Sequence, residues 1–224
     1  IYVKMKMRWY ITSSSQIKNA LKESSTYFLS RLSTSLFTTS NSFLLGLVGG
    51  NTAVGYYSAA EKLYQAYNQL LSPFTGVLFP HIAKSRNVSF FKKIFYWITF
   101  ANFFCVTAAL FLSTYMLQIV YGTADSNILE VFRTLLCACF VTMPSMLLGY
   151  PFLAAMGYPL YTNYTVMATS AVHITGLAIL YIMGMISPIT VAMMVVLSET
   201  LLILFRIKGV CKFKLFKNTK NSDT

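Results

Sequence analysis

The sequence predicts an all-α integral membrane protein. Its 224 residues are 56% hydrophobic and only 11% charged, whereas soluble domains usually carry about 25% charged residues. A membrane-crossing helix needs about 20 mostly apolar residues. The chain supplies six such stretches, at 25–48, 53–79, 94–120, 128–155, 160–185 and 188–206. We therefore expect six transmembrane helices that form one bundle.

Short turn-forming segments separate these stretches, namely GGN at 49–51, PHIAKSRN at 80–87, GTADSN at 122–127, GYP at 157–159 and SP at 187–188. The resulting division is a basic leader at 1–22, a six-helix bundle at 23–206 and a basic tail at 207–224. Pro73 is expected to bend the second helix and Pro80 to end it. Because the first residue is Ile rather than Met, we expect that the sequence begins inside a longer reading frame.

The positive charges predict how the chain is oriented in the membrane. Of the 18 Lys and Arg residues, five precede the first stretch, four flank the connection at 80–87, and six lie at or beyond the end of the last stretch. The connections after the first, third and fifth stretches carry none. This alternation follows the positive-inside rule, so both ends of the chain should face the cytoplasm. We therefore expect that the net charge of +12 orients the protein and contacts anionic lipid headgroups, and we expect no nucleic-acid partner.

The first two stretches carry polar residues at helical spacing. In the first stretch these are Arg31, Thr34, Thr38 and Asn41. In the second they are Ser58, Glu61, Lys62, Gln65, Asn68, Gln69 and Ser72. Because hydrocarbon offers no hydrogen-bond partners, such polar stripes must face other helices or a water-filled cavity.

Arg31 is the most informative of these residues. It lies eight residues inside the predicted cytoplasmic edge, roughly 12 Å deep at 1.5 Å per residue. An arginine at that depth costs at least ~2.5 kcal/mol, which favours a cavity-facing position over snorkelling to the surface. For Glu61 and Lys62, pairing with neighbouring helices and contact with a ligand remain equally open. Single Ser and Thr residues such as Thr38 often bond only to their own helix.

The last four stretches are more uniformly apolar and are predicted to be scaffold. His173 has two interpretations there, a proton relay or a hydrogen bond to a neighbouring helix, and the second is the commoner. Arg133 is expected to pair with Glu130 one turn earlier. The four cysteines form no disulfide framework or metal motif, and the sequence contains no nucleotide-binding, zinc-protease or hydrolase motif. We therefore expect neither an enzyme nor a cofactor or metal site.

Residues 51–84, NTAVGYYSAAEKLYQAYNQLLSPFTGVLFPHIAK, resemble a helical region of bacterial polysaccharide flippases, the Wzx-type O-antigen transporters of the multidrug/oligosaccharidyl-lipid/polysaccharide exporter superfamily. In that family a VGYYSAAEK-like segment opens the eighth span and an LYP-like segment closes it. The corresponding residues are 54–62 and 78–80, with Phe79 in place of a common tyrosine. FLAAMGYP at 152–159 is similar to the family's turn between the tenth and eleventh spans.

The resemblance implies that the six helices are the C-terminal bundle of a twelve-helix, two-lobed flippase in the bacterial inner membrane. The first two helices of each bundle would line a central cationic cavity. The implied cargo is an undecaprenyl-diphosphate-linked oligosaccharide repeat unit, and the implied partners are membrane lipids, an N-terminal six-helix half and polysaccharide polymerase machinery. Arg31 would contact the diphosphate, while Tyr57 and Tyr64 would stack on sugar rings. The full set of expected substrate-binding residues is Arg31, Thr38, Asn41, Tyr57, Glu61, Lys62, Gln65, Asn68 and Gln69.

Three other functions compete with this interpretation. A multidrug or cation antiporter of the same superfamily would need an acidic cavity, whereas Glu61 is the only acid well inside a stretch near the expected cavity. A membrane-bound polymerase or acyltransferase would need large polar loops or reactive His and Asp clusters, which the sequence does not show. The third alternative is a bundle that does not transport but associates with other membrane proteins.

Overall fold

The structure is a computed structural model that describes residues 13–216. Most of the predicted basic leader and the end of the predicted tail lie outside this range. The described residues form five α-helices and one π-helical segment: α1 Ser14–Ser85, α2 Val88–Tyr121, α3 Ser126–Leu147, the π-helical segment Leu148–Ala154, α4 Pro159–Ile182 and α5 Pro188–Lys212. The predicted all-α fold is confirmed.

Helix α1 is 72 residues long and contains the first two predicted stretches. It is interrupted at Gly50, whose φ of 65° and ψ of −167° are non-helical. Side chains other than glycine rarely adopt such a positive φ. The predicted first connection at 49–51 is therefore a kink rather than a loop. We call residues 14–49 the first arm and residues 51–85 the second arm.

The expectation that Pro80 ends the second helix is wrong, because α1 continues through Pro80 to Ser85. The helix ends instead where Arg86 adopts a positive φ of 49°. Asn87 then caps α2 by accepting a 2.9 Å hydrogen bond from the backbone N–H of Phe90. A proline inside a helix removes one hydrogen bond, and in a membrane bundle neighbouring groups replace it.

The later connections lie where the sequence placed them. Gly122 ends α2 in the left-handed conformation, with φ 71°. Pro159 and Pro188 begin α4 and α5 at positions that need no backbone donor. Ser187 and Thr190 form a capping box at the start of α5, in which each side chain bonds the other residue's backbone N–H.

Two clusters of buried apolar side chains fill the bundle, one towards each end. The first surrounds Leu45, Tyr57, Leu117 and Val131, near the kink. The second surrounds Ile82, Phe91 and Phe152, and the rings of Phe91 and Phe152 stack there at 4.0 Å. We call the first end the kink end. We call the second the basic end, because α1 finishes there with Lys84 and α5 finishes there with Lys212.

Four helices of the described part are long and apolar enough to cross a membrane: α2, α3 together with the π-helical segment, α4, and α5. They correspond to the last four predicted stretches. Helix α1 is long enough but not apolar enough, because the polar stripes of both arms lower its hydropathy. The protein is thus a multi-pass membrane protein, and the two further crossings by α1 stay a prediction.

Candidate functional site

A cavity of about 400 Å³ opens at the basic end between the two arms of α1, the π-helical segment and α5. Its walls are formed by Arg31, Thr75, Gly76, Phe79, Met146, Tyr150, Pro151 and Arg206. Two of these eight residues are arginines, and none is acidic. The cavity is large enough for a small ligand, since such sites usually measure about 300–1,000 Å³.

Arg31 stands on the wall of this cavity, in the first arm. Its side chain is exposed, and its Nε and Nη2 atoms donate hydrogen bonds of 3.1 and 2.9 Å to the hydroxyl of Tyr27. Tyr27 lies one helical turn earlier, so the bond holds the guanidinium along the same helix face. The guanidinium carbon also lies 5.3 Å from the centre of the Tyr27 ring. Nη1 of Arg31 makes none of these bonds and is left for another acceptor.

Two tyrosines connect Arg31 to the opposite wall. The rings of Tyr27 and Tyr150 meet edge to face with centroids 6.4 Å apart. The hydroxyl of Tyr150 donates to the side-chain oxygen of Asn163, which is buried in α4. The π-helical segment is therefore fixed to α4, and Tyr150 contributes both to that contact and to the cavity.

Arg206 is the second cation of the cavity, and it is not among the residues that the sequence analysis predicts to bind substrate. It is one of the six basic residues at or beyond the end of the last predicted stretch, yet only 6% of its surface is exposed. Its Nη1 donates to the backbone oxygen and the hydroxyl of Ser145, at 2.6 and 3.1 Å. Glu199, seven residues earlier on α5, is close enough to interact with it electrostatically. The spacing of Glu199 and Arg206, which places both on one face of α5, is the sequence signal that could have indicated this role.

The second arm turns a polar face outward and a tyrosine face inward. The predicted ligand residues Lys62, Gln65 and Gln69 are exposed, while Glu61 and Asn68 are half-buried. On the inward side, Tyr64 bonds Thr142 of α3 at 3.2 Å and Tyr67 bonds Asn102 of α2 at 2.5 Å. These tyrosines attach the arm to the scaffold, so the exposed side chains of Lys62, Gln65 and Gln69 lie on the opposite side of the arm.

The remaining predicted residues have partners within the bundle. Thr38 is exposed but bonds the carbonyl oxygens of Thr34 and Ser35 in its own helix, at 3.2 and 3.0 Å. Asn41 and Tyr57 are both 1% exposed, and the Asn41 amide donates to the Tyr57 hydroxyl at 2.9 Å. The structure does not bring these two to the cavity wall that holds Arg31.

His173 belongs to the same buried group. Its Nε2 lies 2.9 Å from the amide oxygen of Asn41, and its Nδ1 lies 2.8 Å from the hydroxyl of Ser198 on α5. Because an amide oxygen only accepts, Nε2 is the donor in the first bond. The ring also packs on Phe37 at 3.9 Å. Of the two interpretations from the sequence, the hydrogen-bonded one fits this geometry, with two bonds where one was expected.

The expected pair between Arg133 and Glu130 is wrong. Nε of Arg133 instead donates to the hydroxyl of Ser113 at 2.9 Å, and its Nη2 lies 3.5 Å from the hydroxyl of Thr114. Both serve to connect α3 to α2. The i,i+3 rule considers only one helix, whereas the packed neighbour offered closer acceptors.

The first part of the chain is similar to a known protein family. Residues 1–86 match the family model described as "Polysaccharide biosynthesis protein". This segment, which includes the described part of α1, is therefore similar to the polysaccharide biosynthesis protein family. The match bears out the resemblance seen in residues 51–84, and it includes both arms of α1 with Arg31 and the exposed amides. No solved structure gave a significant match.

Two curated relatives support the same family. A protein of Shigella dysenteriae named "Putative O-antigen transporter" is 32% identical over 126 residues, which are 54% of this chain and 32% of that protein. A protein of Escherichia coli K12 with the same name is 30% identical over 69 residues, or 31% of this chain and 17% of that protein. The matched stretches thus span about a third or less of these curated relatives. Their names describe transporters rather than enzymes, which fits a role in membrane transport.

Proposed function

We propose that this protein moves undecaprenyl-diphosphate-linked O-antigen or other polysaccharide repeat units across the bacterial inner membrane. An anion with attached sugars cannot cross hydrocarbon unaided, because the charge has no hydration there. A transporter must therefore supply a wet, positively charged route. The names of the two O-antigen transporter relatives support this cargo class.

The observation that carries the proposal is the position of Arg31 on the wall of the cavity at the basic end. A guanidinium matches phosphate oxygens in shape and charge, and its hydrogen bonds to them are charge-assisted. Tyr27 holds this group in place with two bonds, so little side-chain freedom is lost when a phosphate binds. In our proposal Arg31 meets the diphosphate at the cytoplasmic face.

The outward face of the second arm is proposed to meet the sugars. Gln65 and Gln69 are exposed and carry both donors and acceptors, as sugar hydroxyls require. Lys62 would add positive charge to the same face. Glu61 and Asn68 stand beside these residues half-buried, and the Asn68 amide oxygen has no hydrogen-bond partner among the described residues. Asn41 and Tyr57 are better explained as a bond between the arms, and Thr38 bonds carbonyl oxygens of its own helix.

Alternating access is the proposed mechanism. The two arms would line a central cavity together with a second six-helix bundle, and rocking of the bundles would open that cavity to one leaflet at a time. The polyprenyl chain would stay in lipid. Both ends of the chain would then face the cytoplasm. Polysaccharide polymerase machinery on the opposite side of the membrane would receive the flipped unit.

A complementation experiment tests this function. A deletion strain should accumulate lipid-linked oligosaccharide on the cytoplasmic leaflet and lose surface polysaccharide, and the full-length protein should restore both. At equal expression, Arg31→Ala should fail to restore display, and Arg31→Lys should restore it in part because the charge remains while the fork is lost. Lys18→Gln, which removes an exposed charge from the same arm, is the matched control. Full display with Arg31→Ala would exclude the assigned role of this residue.

The same strain separates this function from a multidrug or cation antiporter. An antiporter predicts changed drug tolerance in the deletion strain, with lipid-linked oligosaccharide distributed normally between the leaflets. A flippase predicts unchanged drug tolerance and accumulation of lipid-linked oligosaccharide on the cytoplasmic leaflet.

A further inference from the structure

Arg206 is a buried cation whose hydrogen bonds are incomplete. Only 6% of the residue is exposed, and all its hydrogen bonds come from Nη1, to Ser145. Its Nε is buried without a partner among the described residues. Its Nη2 takes part in no hydrogen bond there either, although a guanidinium offers five donors. Leaving donors of a buried guanidinium unpaired is costly, so an acceptor that reached Nη2 would stabilise the site.

The backbone is shaped to accommodate this guanidinium. At Gly149 the chain leaves helical geometry, with ψ of −113°, inside the π-helical segment. A Cβ atom at that position would lie 2.9 Å from Cζ of Arg206 and about as close to both terminal nitrogens. Only glycine leaves room for the flat group to lie on the backbone. π-Helical turns of this kind often occur at functional sites, where they cost helix regularity.

Arg206 shares a cavity with Arg31. Both residues line its wall, and none of its eight wall residues is acidic. Glu199 interacts with Arg206 through space, but no carboxylate forms an ion pair with it in the described part of the chain. Two guanidiniums that face one cavity without a carboxylate between them repel each other, and an anion between them removes that repulsion. Two charges and about 400 Å³ suit a diphosphate better than a single phosphate.

We propose that Arg206 and Arg31 together clamp a diphosphate ester in this cavity, with Ser145 and Gly149 positioning Arg206. The inference rests on the proposed function for its cargo and adds to it a deep contact from the last helix. Arg206 would hold the inner phosphate through Nη2, and Arg31 the outer one through Nη1. The Tyr27 and Tyr150 rings would border the first sugar. No covalent step takes place.

Binding to the purified full-length protein in detergent tests the clamp. The probes are farnesyl diphosphate, inorganic pyrophosphate and a uridine-diphosphate sugar, each followed by the shift in thermal unfolding and by titration calorimetry. Farnesyl diphosphate should bind most tightly. Arg206→Gln and Arg31→Gln should each weaken it about tenfold or more, since each removes charge-assisted hydrogen bonds. Lys208→Gln removes an exposed charge two residues further along α5 and should bind as the unchanged protein does.

Two further variants keep the test decisive if Arg206→Gln does not fold. Gly149→Ala retains the charge but displaces the guanidinium, and it should weaken binding to a similar extent. Arg31→Gln alters an exposed residue and should fold normally. Unchanged farnesyl diphosphate affinity in Arg31→Gln and Gly149→Ala would overturn the clamp. If the uridine-diphosphate sugar binds more tightly than farnesyl diphosphate, the proposal that the bound diphosphate belongs to a lipid-linked cargo is wrong.

Failure of the clamp and failure of the proposed function give different results. If Arg206→Gln folds, binds farnesyl diphosphate normally and restores polysaccharide display, the clamp is wrong while the flippase function stands. If the unchanged protein binds farnesyl diphosphate through Arg206 but the deletion strain distributes lipid-linked oligosaccharide normally, the function is wrong while the diphosphate site stands.

Discussion

The amide of Asn41 donates a 2.9 Å hydrogen bond to the hydroxyl of Tyr57, and this bond joins the two arms of α1 across the kink at Gly50. Sixteen residues separate the partners in sequence. The amide oxygen of Asn41 is bonded by His173 of α4, which also bonds Ser198 of α5. Four side chains therefore fix the angle of α1 and attach it to the scaffold.

We predict that Asn41→Ala destabilises the protein more than Tyr57→Phe does. The phenylalanine variant loses one interhelical hydrogen bond, which in membrane proteins is worth about 0.6–1.7 kcal/mol. The alanine variant leaves both Tyr57 and His173 without this partner and opens a small void. Thermal unfolding of the purified protein measures both. Equal melting temperatures for Asn41→Ala and the unchanged protein would show that the bond does not join the arms.

A second prediction concerns His173. His173→Ala should lower the free energy of unfolding by about 2 kcal/mol or more, because it removes two hydrogen bonds and the ring that packs on Phe37. Thr175→Ala on the same helix is the control, since Thr175 is exposed and bonds only its own backbone. Denaturant-induced or thermal unfolding compares them. A loss of transport in His173→Ala with no loss of stability would instead favour a proton relay.

The kink predicts different effects of alanine at two glycines five residues apart. Gly50→Ala should cost about 1–3 kcal/mol, because φ of 65° with ψ of −167° is a conformation that essentially only glycine adopts. Gly55→Ala should be neutral or slightly stabilising, because Gly55 is exposed in the helix with no other atom within 4 Å of a Cβ. The melting temperatures of the two purified variants measure these effects. Equal changes in melting temperature for the two variants would mean that the kink does not require the positive φ of Gly50.

The connections of the scaffold could be predicted because their signals are local. Gly122, Ser187 and Pro188 act on the backbone within a few residues, so their effect does not depend on what packs nearby. The expectation for Pro80 was wrong because its effect on the helix depends on what packs nearby. Helix α1 passes through it, and Ile82 just beyond is fully buried in the apolar cluster of the basic end. Tertiary packing there outweighs the loss of one backbone hydrogen bond.

The site could be predicted only in part. Arg31 was recognised because a charge deep in an apolar stretch is conspicuous in any sequence. Arg206 lies among basic residues at a helix end, where charge carries no such signal, and its burial depends on Gly149, 57 positions earlier. Asn41 and His173 had no visible connection either, since 132 residues separate them. Polar stripes indicate which helices carry polar surface, but pairings between distant helices follow from packing alone.

Cysteine labelling tests most directly the central claim that the polar faces of the two α1 arms border an aqueous path. The experiment uses the full-length protein in membranes, with its native cysteines replaced and single cysteines placed at 31, 38, 65 and 69. Position 119 of α2 serves as the lipid-facing control, since Ile119 is exposed on an apolar spanning helix. A membrane-impermeant maleimide should label the four α1 positions and leave position 119 unlabelled, and farnesyl diphosphate should protect position 31. If positions 31 and 65 prove as unreactive as position 119, the arms do not border water and the account is contradicted.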